Sequence, residues 1–182
     1  MQEKKIIKSC TKCKDSFYYS EEKEFEKHYF TRDLRIYSDK ISKFVYRCNE
    51  KTSGVVIDRI SRIYKNIYID EVQDLAGYDL ELLNLLFETE SEIVFVGDPR
   101  QGTYSTNSAS KNSQYRKSKI IYFPQDKKIN IDRDENSLLV NYRSNKAICD
   151  LSNKPFPDFM QTSSGNNERT GHDGIFFIKE KM

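Results

Sequence analysis

The sequence predicts an α/β fold built on a parallel sheet, and three observations support this prediction. Apolar segments at residues 67–69 and 93–96 have the β-branched and aromatic character of strands. Between them, residues 77–88 carry leucines at helical spacing. Strand, helix and strand within about thirty residues form a βαβ unit, in which the two strands run parallel. The first strand lacks the alternation of a half-exposed strand, which predicts burial on both faces.

Acidic residues follow both predicted strands within two positions. Asp70 and Glu71 come after the first strand, and Asp98 follows the second within a Gly-Asp-Pro sequence. The carboxyl ends of parallel strands meet at one edge of the sheet, where α/β proteins bind ligands. There an aspartate can hold Mg²⁺, and a neighbouring glutamate can orient or deprotonate a water that attacks a phosphate. The plainer alternative is a turn and helix start, where negative charge suits the helix dipole.

Residues 1–56 are expected to form a mostly helical N-terminal segment. Ser20 precedes a run of glutamates and is predicted to cap a helix that reaches His28. The candidate zinc ligands of this segment are Cys10, Cys13, His28 and Cys48. They form a zinc site only if the fold brings them together; otherwise they are reduced thiols and a surface histidine.

Residues 37–65 are predicted to be helical, with an apolar stripe that covers one face of the sheet. After the second strand, residues 102–118 form a polar loop that contains Tyr104. The hydroxyls, amides and lysines of this loop suit phosphate and base contacts, and they equally suit plain solvent. Residues 120–123 are predicted to form a further strand, which Pro124 ends.

The C-terminal part of the sequence indicates a second structural region. Residues 125–136 are charged and have the composition of a linker. Residues 146–151 have a helical pattern, and residues 175–178 are predicted to begin a strand. We therefore divide the chain after residue 56 and again after residue 140.

Composition limits the classes of function. The 182 residues suffice for one sizeable domain, or for one domain and part of another. With 30 basic and 28 acidic residues, the net charge does not indicate nucleic-acid binding, so any basic surface that binds nucleic acid must be local. No apolar run approaches the length of a membrane span, and no signal region is evident. We expect a cytoplasmic protein without a membrane partner.

Three motifs occur in one order along the chain. They are Tyr-Ile-Asp-Glu-Val-Gln-Asp at residues 68–74, Gly-Asp-Pro-Arg-Gln at residues 97–101 and Asn-Tyr-Arg-Ser at residues 141–144. They resemble the DExxQD (Walker B), GDxxQ and NYRS motifs of the UvrD/Rep family of superfamily-one DNA helicases. The resemblance covers roughly residues 57–150 and implies a RecA-like P-loop NTPase core with a parallel sheet.

The resemblance implies roles in ATP chemistry. Asp70 would bind the Mg²⁺ of Mg-ATP, and Glu71 would activate the hydrolytic water. Gln101 would sense the γ-phosphate, and Arg143 would neutralise charge on the transferring phosphoryl group. In the plainer alternatives, Gln101 caps a turn and Arg143 pairs with a nearby carboxylate.

The resemblance also implies two ring contacts. Tyr142 would stack on the adenine of ATP, and Tyr104 would contact single-stranded DNA, as an aromatic residue of the family does. Tyr142 as a core residue is the alternative. The residues after Tyr104 depart from the family's aromatic-arginine-glycine run, which weakens that assignment.

One departure from the family concerns the phosphate-binding loop. No Gly-x-x-x-x-Gly-Lys-Ser/Thr sequence occurs, and residues 51–54 (Lys-Thr-Ser-Gly) lack the preceding glycine loop. The family's later motifs, with its second arginine, would lie beyond Met182. We therefore expect an incomplete core: residues 57–140 as the second half of one RecA-like domain, and residues 141–182 as a linker and the start of a second. Alone, such a chain is not expected to hydrolyse ATP or unwind DNA.

Three functional hypotheses follow. The first is part of an ATP-dependent DNA helicase, a DNA-stimulated ATPase that translocates on single-stranded DNA and unwinds duplex. Its partner would be single-stranded or partly duplex DNA. The second is a non-catalytic helicase-like module that binds DNA or a partner protein, such as a defence-system nuclease or another subunit of a helicase complex. The third is a zinc-bearing nucleic-acid adaptor. The first is favoured, because a pure binding role gives no reason to retain three phosphate-chemistry motifs.

Overall fold

The computed structural model describes residues 19–106, 110–166 and 174–175. The chain forms two compact units, Met1–Ile129 and Asn130–Met182. The domain boundaries after residues 56 and 140 stay predictions. They refer to RecA-like domains, which a division into compact units does not identify. The final predicted strand lies outside the described residues except for Ile175, which belongs to no regular element.

Helices form the N-terminal part of the first unit. Helix α1 spans Phe25–Tyr29, α2 spans Ile41–Lys51 after a 3-10 helix at Ser38–Lys40, and α3 spans Val55–Ile63. The prediction that Ser20 caps the first helix is wrong. Residues 21–23 form a turn first, and the Ser20 carbonyl accepts a hydrogen bond from the Glu24 N–H at 2.9 Å.

Helices α2 and α3 are joined by a short turn at Gly54, whose φ of 91° lies in the left-handed region that favours glycine. The buried Asn49 side chain accepts from the Ile57 N–H at 3.0 Å and ties the two helices together. The helical prediction for residues 37–65 is confirmed. The prediction that these helices cover the sheet is wrong, because they pack on each other and on the helix between the two strands.

That helix, α4, spans Tyr78–Phe87 and connects strand β1, Asn66–Ile69, to strand β2, Glu92–Phe95. The two strands are parallel, with Asn66 opposite Glu92 and Ile69 opposite Phe95. The predicted βαβ unit is therefore confirmed.

The β1–β2 sheet is covered on one face. Ile69, Ile93 and Phe95 pack against a core to which α4 contributes Leu80 and Leu83. On the opposite face, Tyr68 is 76% exposed. Val94 and Val96 are exposed there as well. The predicted burial on both faces is wrong for the described part of the chain, because α2 and α3 pack on α4 instead of on this face.

The chain after β2 consists of short 3-10 turns at Pro99–Gln101, Ser113–Tyr115 and Lys117–Tyr122, followed by the single helical turn α5 at Phe123–Asp126. The predicted strand at residues 120–123 is wrong. Ile120 and Phe123 are both buried, as residues three apart on one side of a 3-10 turn can be. Pro124 stands in the first turn of α5, where its missing N–H is not needed.

The second unit contains a smaller parallel pair. Strand β3 spans Val140–Asn141 and β4 spans Ser163–Ser164, with helix α6 at Lys146–Asn153 between them. The Asn145 side chain caps α6 by accepting from the Ile148 N–H at 3.1 Å. The helical prediction for residues 146–151 is confirmed. Both units are thus mixed α/β structures with parallel strands, and among the described residues no helix is long and apolar enough to cross a membrane.

Stability at acidic pH is expected to depend on Glu21, which packs beside α1 and α2. Its carboxylate lies 2.6 Å from the Lys43 Nζ and 3.2 Å from the Arg47 Nε, and it accepts from the Tyr29 hydroxyl. Burial raises the pKa of Glu21, but hydrogen bonds from Lys43 and Tyr29 outweigh burial and lower it from 4.5 to about 2. A lowered folded-state pKa gives stability that is present above pH 4.5 and lost as the pH falls towards 2.

The Tm of the Glu21→Gln variant should therefore fall less steeply than that of the parent over this acidic range, and the variant should be less stable at pH 7. Thermal unfolding at a series of pH values measures both effects. Glu22→Gln, an exposed neighbour, is the matched control and should keep the parental profile. Equal slopes for Glu21→Gln and the parent would contradict the assignment.

Candidate active site

Both strands of the larger sheet end in acidic turns at the same edge. Strand β1 leads into Asp70 and Glu71 and then into a 3-10 turn at Val72–Asp74. Strand β2 leads through Asp98 into the turn at Pro99–Gln101. The in-register parallel pairing places the two turns side by side, and the Val72 N–H donates to the Val96 carbonyl at 3.0 Å. This edge has the location at which open α/β sheets bind ligands.

Asp70 and Glu71 form the exposed part of this edge. The Asp70 Oδ1 accepts from the Glu71 N–H at 2.8 Å. Glu71 has a φ of 53°, a left-handed conformation that non-glycine residues adopt uncommonly. Such backbone conformations cluster at functional sites, where the surrounding structure maintains them. The plainer alternative of a turn and helix start holds in part, because Glu71 directly precedes the 3-10 turn at Val72–Asp74, although α4 begins only at Tyr78.

Gln73 connects the two acidic turns. Its side chain is only 2% exposed, its Nε2 donates to the Glu71 carboxylate, and its Oε1 accepts from the Asp98 N–H at 3.0 Å. Both polar ends of a buried amide are therefore satisfied by residues of different strand ends. No role was predicted for Gln73 from the sequence; its position two residues after the acidic pair was the available signal.

Gly97 gives Gln73 the space it occupies. A Cβ at position 97 would lie 2.5 Å from the Gln73 Oε1 and 2.6 Å from the Val72 Cγ1, both closer than real Cβ contacts. Position 97 must therefore be glycine, because any side chain there would clash with the buried Gln73 amide.

Asp98 is neutralised within its own turn. The Arg100 Nε and Nη2 each lie 2.8 Å from its carboxylate oxygens, and the Gln101 Nε2 donates to it at 3.1 Å. Burial raises the pKa of Asp98, but the bonds from Arg100 and Gln101 outweigh burial and lower it. The hydrogen bond to Asp98 raises the pKa of Arg100. Gln101 is therefore joined to Glu71 by one hydrogen-bonded chain through Asp98 and Gln73, hereafter the strand-end network.

The donor set at this edge suits a magnesium ion that is held together with a nucleotide. Within the described residues, no basic side chain forms an ion pair with Asp70 or Glu71, and no three histidine, cysteine or acidic residues form a closed metal cage. Mg²⁺ in phosphate-transferring sites needs only one or two protein carboxylates, because phosphates and waters supply its other ligands. Asp70 offers one exposed carboxylate at this edge.

The predicted zinc ligands are only partly described. The His28 Nδ1 lies 2.8 Å from the Tyr19 carbonyl oxygen, and its Nε2 lies 3.4 Å from the Lys43 Nζ. Cys48 is a free thiol. Cys10 and Cys13 lie outside the described residues, so the zinc hypothesis stays a prediction.

Tyr142 and Arg143 lie in the second unit, on a turn that its neighbours fix. The Asn141 Oδ1 accepts from the Arg143 and Ser144 N–H groups at 2.9 Å each, and the Asn166 Nδ2 donates to the Arg143 carbonyl at 3.1 Å. Tyr142 is 76% exposed, so it is not a core residue. Arg143 is exposed and forms no ion pair with a carboxylate in the described part of the chain.

Gly165 lies against the Tyr142 ring. A Cβ at position 165 would stand 2.7 Å from the Tyr142 Cε1 and 2.8 Å from the Val140 Cγ1. The ring therefore rests on glycine backbone, a contact that sequence reasoning did not predict.

Tyr104 follows the turn at Pro99–Gln101 and is 64% exposed. An exposed ring on a loop beside the strand-end network is open to contact with a ligand. The six predicted site residues thus fall into two sets. The first unit contains Asp70, Glu71, Gln101 and Tyr104, and the second contains Tyr142 and Arg143.

The fold and the site place this protein among the α/β proteins that carry acidic side chains at the carboxyl ends of parallel strands. The chain belongs to the UvrD/REP helicase N-terminal domain family, which it matches over residues 2–120. It is also 31% identical over 102 residues to the RecBCD enzyme subunit RecB of Borreliella burgdorferi. This similarity covers 56% of the chain and 8% of RecB, so the chain spans a small part of the length of that relative. The resemblance predicted from the three motifs is confirmed.

Proposed function

We propose that this chain forms part of an ATP-dependent DNA helicase, in which it contributes the water-activating edge of the nucleotide site. The observation that carries the proposal is the strand-end network, which joins Glu71 to Gln101 through buried Gln73. Such a link is expected if Glu71 acts on the attacking water and Gln101 senses the γ-phosphate, because the two residues would then have to respond to the same hydrolysis step. Family membership and the similarity to RecB support a helicase role.

The proposed roles follow from the chemistry of phosphoryl transfer, in which positioning and charge stabilisation do most of the work. Mg²⁺ held with ATP would neutralise the charge of the phosphates. Asp70 would hold the ion, and Glu71 would orient and deprotonate the attacking water. Gln101 would report the γ-phosphate to the strand-end network, and Arg143 would offset the charge that develops during transfer.

We further propose that the phosphate-binding loop is supplied from outside these 182 residues. The Gly-x-x-x-x-Gly-Lys-Ser/Thr signature is absent from the sequence, and no other segment has its glycine pattern. The chain alone would then not turn over ATP. RecB is by name a subunit of the RecBCD enzyme. By analogy, we propose that this chain works in a complex with a nuclease or another helicase subunit and with DNA as the substrate.

A non-catalytic helicase-like module is the second candidate. The missing phosphate-binding signature favours it, because a site without that loop lacks the usual contacts to ATP phosphates. The strand-end network would then serve only as scaffold. The exposed Tyr104 would still allow this module to contact nucleic acid.

Nucleotide binding by the complex isolated from its native host separates the two candidates. Titration of Mg-ATP by calorimetry, with and without Mg²⁺, should show metal-dependent binding that Asp70→Asn and Arg143→Ala both weaken. Arg133→Ala is the matched control, because Arg133 is an exposed arginine of the same unit that pairs with Glu135. The absence of Mg-ATP binding by the complex would overturn the proposal in favour of the non-catalytic module.

Removal of the exposed ring at position 104 is expected to weaken DNA binding. Because stacking on a base contributes about 1–3 kcal/mol, Tyr104→Ala should lower the affinity for a thymidine oligonucleotide by about tenfold, with unchanged nucleotide affinity. Fluorescence anisotropy of a labelled oligonucleotide measures the change. Tyr64→Ala is the control, because this exposed tyrosine precedes β1 at the opposite end of the sheet. Equal DNA affinity for Tyr104→Ala and the parent would remove Tyr104 from the interface.

A methyl group at position 165 is expected to displace the Tyr142 ring. Gly165→Ala should weaken ATP binding by the complex about threefold to tenfold, because part of the stacking contact would be lost. The effect should vanish in a Tyr142→Ala background, since the ring is then absent, and a double-mutant cycle measures this coupling. Additive losses in the double variant would contradict the role of Gly165.

A further inference from the structure

The loop that carries Tyr104 is fastened to the start of helix α4. The Thr106 hydroxyl donates to the Asp79 carboxylate, and the Thr106 N–H donates to the Asp74 carbonyl at 2.9 Å. Beyond the loop, the Asn112 Nδ2 donates to the Gly77 carbonyl at 3.0 Å. Tyr104 therefore stands two residues before a point that is held by both side-chain and backbone bonds.

Asp79 is the centre of this attachment. Its Oδ2 accepts from the Ala76 N–H at 3.1 Å in addition to the Thr106 hydroxyl, and its Oδ1 accepts from the Ser42 hydroxyl of α2. One carboxylate thus joins the Tyr104 loop, the first turn of α4 and a second helix. Hydrogen bonds to a charged acceptor are stronger than neutral ones, so this attachment restrains the loop.

The attachment is continuous with the strand-end network. Asp74, whose carbonyl accepts from Thr106, directly follows Gln73, whose amide binds the Glu71 carboxylate. Restraint of a loop before it binds removes part of the conformational entropy that binding would otherwise cost. A restrained ring therefore loses less conformational entropy when it stacks on a ligand.

We propose that Asp79, acting through Thr106, is a positioning residue that holds Tyr104 ready to stack on a base of single-stranded nucleic acid. This inference rests on the proposed function, since it requires that Tyr104 meets DNA. Neither Asp79 nor Thr106 is assigned contact with the base itself.

The experiment uses the full chain, which contains no tryptophan. Tyr104→Trp introduces a single fluorescent reporter on the loop, and time-resolved anisotropy then measures the mobility of the loop. Thr106→Val removes the hydroxyl that binds Asp79 and keeps the side-chain shape and the backbone N–H. Thr106→Ser restores the hydroxyl. Ser42→Ala is the matched control, because it removes a partner of the same carboxylate without touching the loop.

In the reporter background, Thr106→Val should increase loop mobility and weaken binding of a thymidine oligonucleotide about threefold to tenfold. Thr106→Ser should restore both properties, and Ser42→Ala should leave both near the parental values. If Thr106→Val does not fold, as judged by circular dichroism, Asp79→Ala provides the second test, because it removes both acceptor oxygens; the same two losses are expected.

Three results would overturn the proposal: unchanged mobility in Thr106→Val, increased mobility with unchanged DNA affinity, or the same losses in Ser42→Ala. Failure of the Tyr104→Trp chain and of the unsubstituted chain to bind the oligonucleotide would overturn both the role of Tyr104 in DNA binding and the positioning role that depends on it. The mobility of Thr106→Val relative to the Tyr104→Trp parent would still show whether Thr106 restrains the loop, whatever the outcome for DNA binding.

Discussion

Replacement of Glu71 by glutamine is expected to reduce ATP turnover by the natively isolated complex about 100-fold or more, because a general base contributes about that much to the rate. The glutamine side chain has nearly the same shape, and its carbonyl oxygen can still accept the hydrogen bond from the Gln73 amide. The strand-end network should therefore persist, and nucleotide affinity should change by less than about threefold. What is lost is the negative charge that orients and deprotonates the attacking water.

Phosphate release under saturating ATP and DNA measures turnover, and calorimetry measures affinity. Glu90→Gln is the matched control, because Glu90 is an exposed glutamate in the turn before β2 and away from the acidic edge. Turnover within about threefold of the parent would contradict the assignment of Glu71. A parallel loss of nucleotide affinity would instead place Glu71 in ground-state binding.

The strand and helix pattern around the acidic edge could be predicted from the sequence because local signals agree there. The apolar runs before Asp70 and Gly97 are short and end in polar residues, and the leucines between them recur at helical spacing. Parallel pairing then follows from the βαβ connection. The family could be identified because the residues of the three motifs occur intact and in one order.

Packing partners could not be predicted, because an apolar stripe does not say which surface it meets. Helices α2 and α3 were expected on the sheet, yet they pack on α4, and Tyr68 is left exposed. Residues 120–123 have the composition of a strand. Their burial at Ile120 and Phe123 follows a period of three, which a run of four residues is too short to reveal.

The hydrogen bonds of the site were equally invisible in the sequence. Gln73 and Asp79 are polar residues in a region of mixed polarity, and nothing in their spacing indicates that one is buried or that the other joins three segments. Long-range side-chain bonds depend on the tertiary path of the loop after β2. This path consists of short 3-10 turns and irregular loop, which are too short to leave a periodic signal.

Replacement of Gln73 by glutamate is expected to destabilise the first unit strongly near neutral pH. The introduced carboxylate would be buried beside the Glu71 carboxylate, where the amide now donates, and only the Asp98 N–H would remain as a matched partner. An uncompensated buried charge costs about 3–5 kcal/mol. The Tm should accordingly fall by roughly 6–20 °C for a chain of this size.

The deficit should depend on pH with a definite sign. Burial beside Glu71 should raise the folded-state pKa of the introduced carboxyl above its unfolded value of about 4.3. Its protonated form can donate to Glu71 and accept from the Asp98 N–H, as the amide does. The Tm of Gln73→Glu should therefore approach that of the parent below about pH 4.3, and the difference should grow as the pH rises through the folded-state pKa.

Two matched variants isolate the cause. Gln73→Leu should lose about 1–3 kcal/mol at every pH, because it leaves the Asp98 N–H without its partner but adds no titratable group. Gln125→Glu places the same new charge at an exposed site and should change stability by less than about 0.5 kcal/mol. A Tm deficit of Gln73→Glu that stays constant from acidic to neutral pH would mean that lost packing, and not repulsion within the strand-end network, sets the cost. Gln73 would then not be the electrostatic link between the two acidic turns.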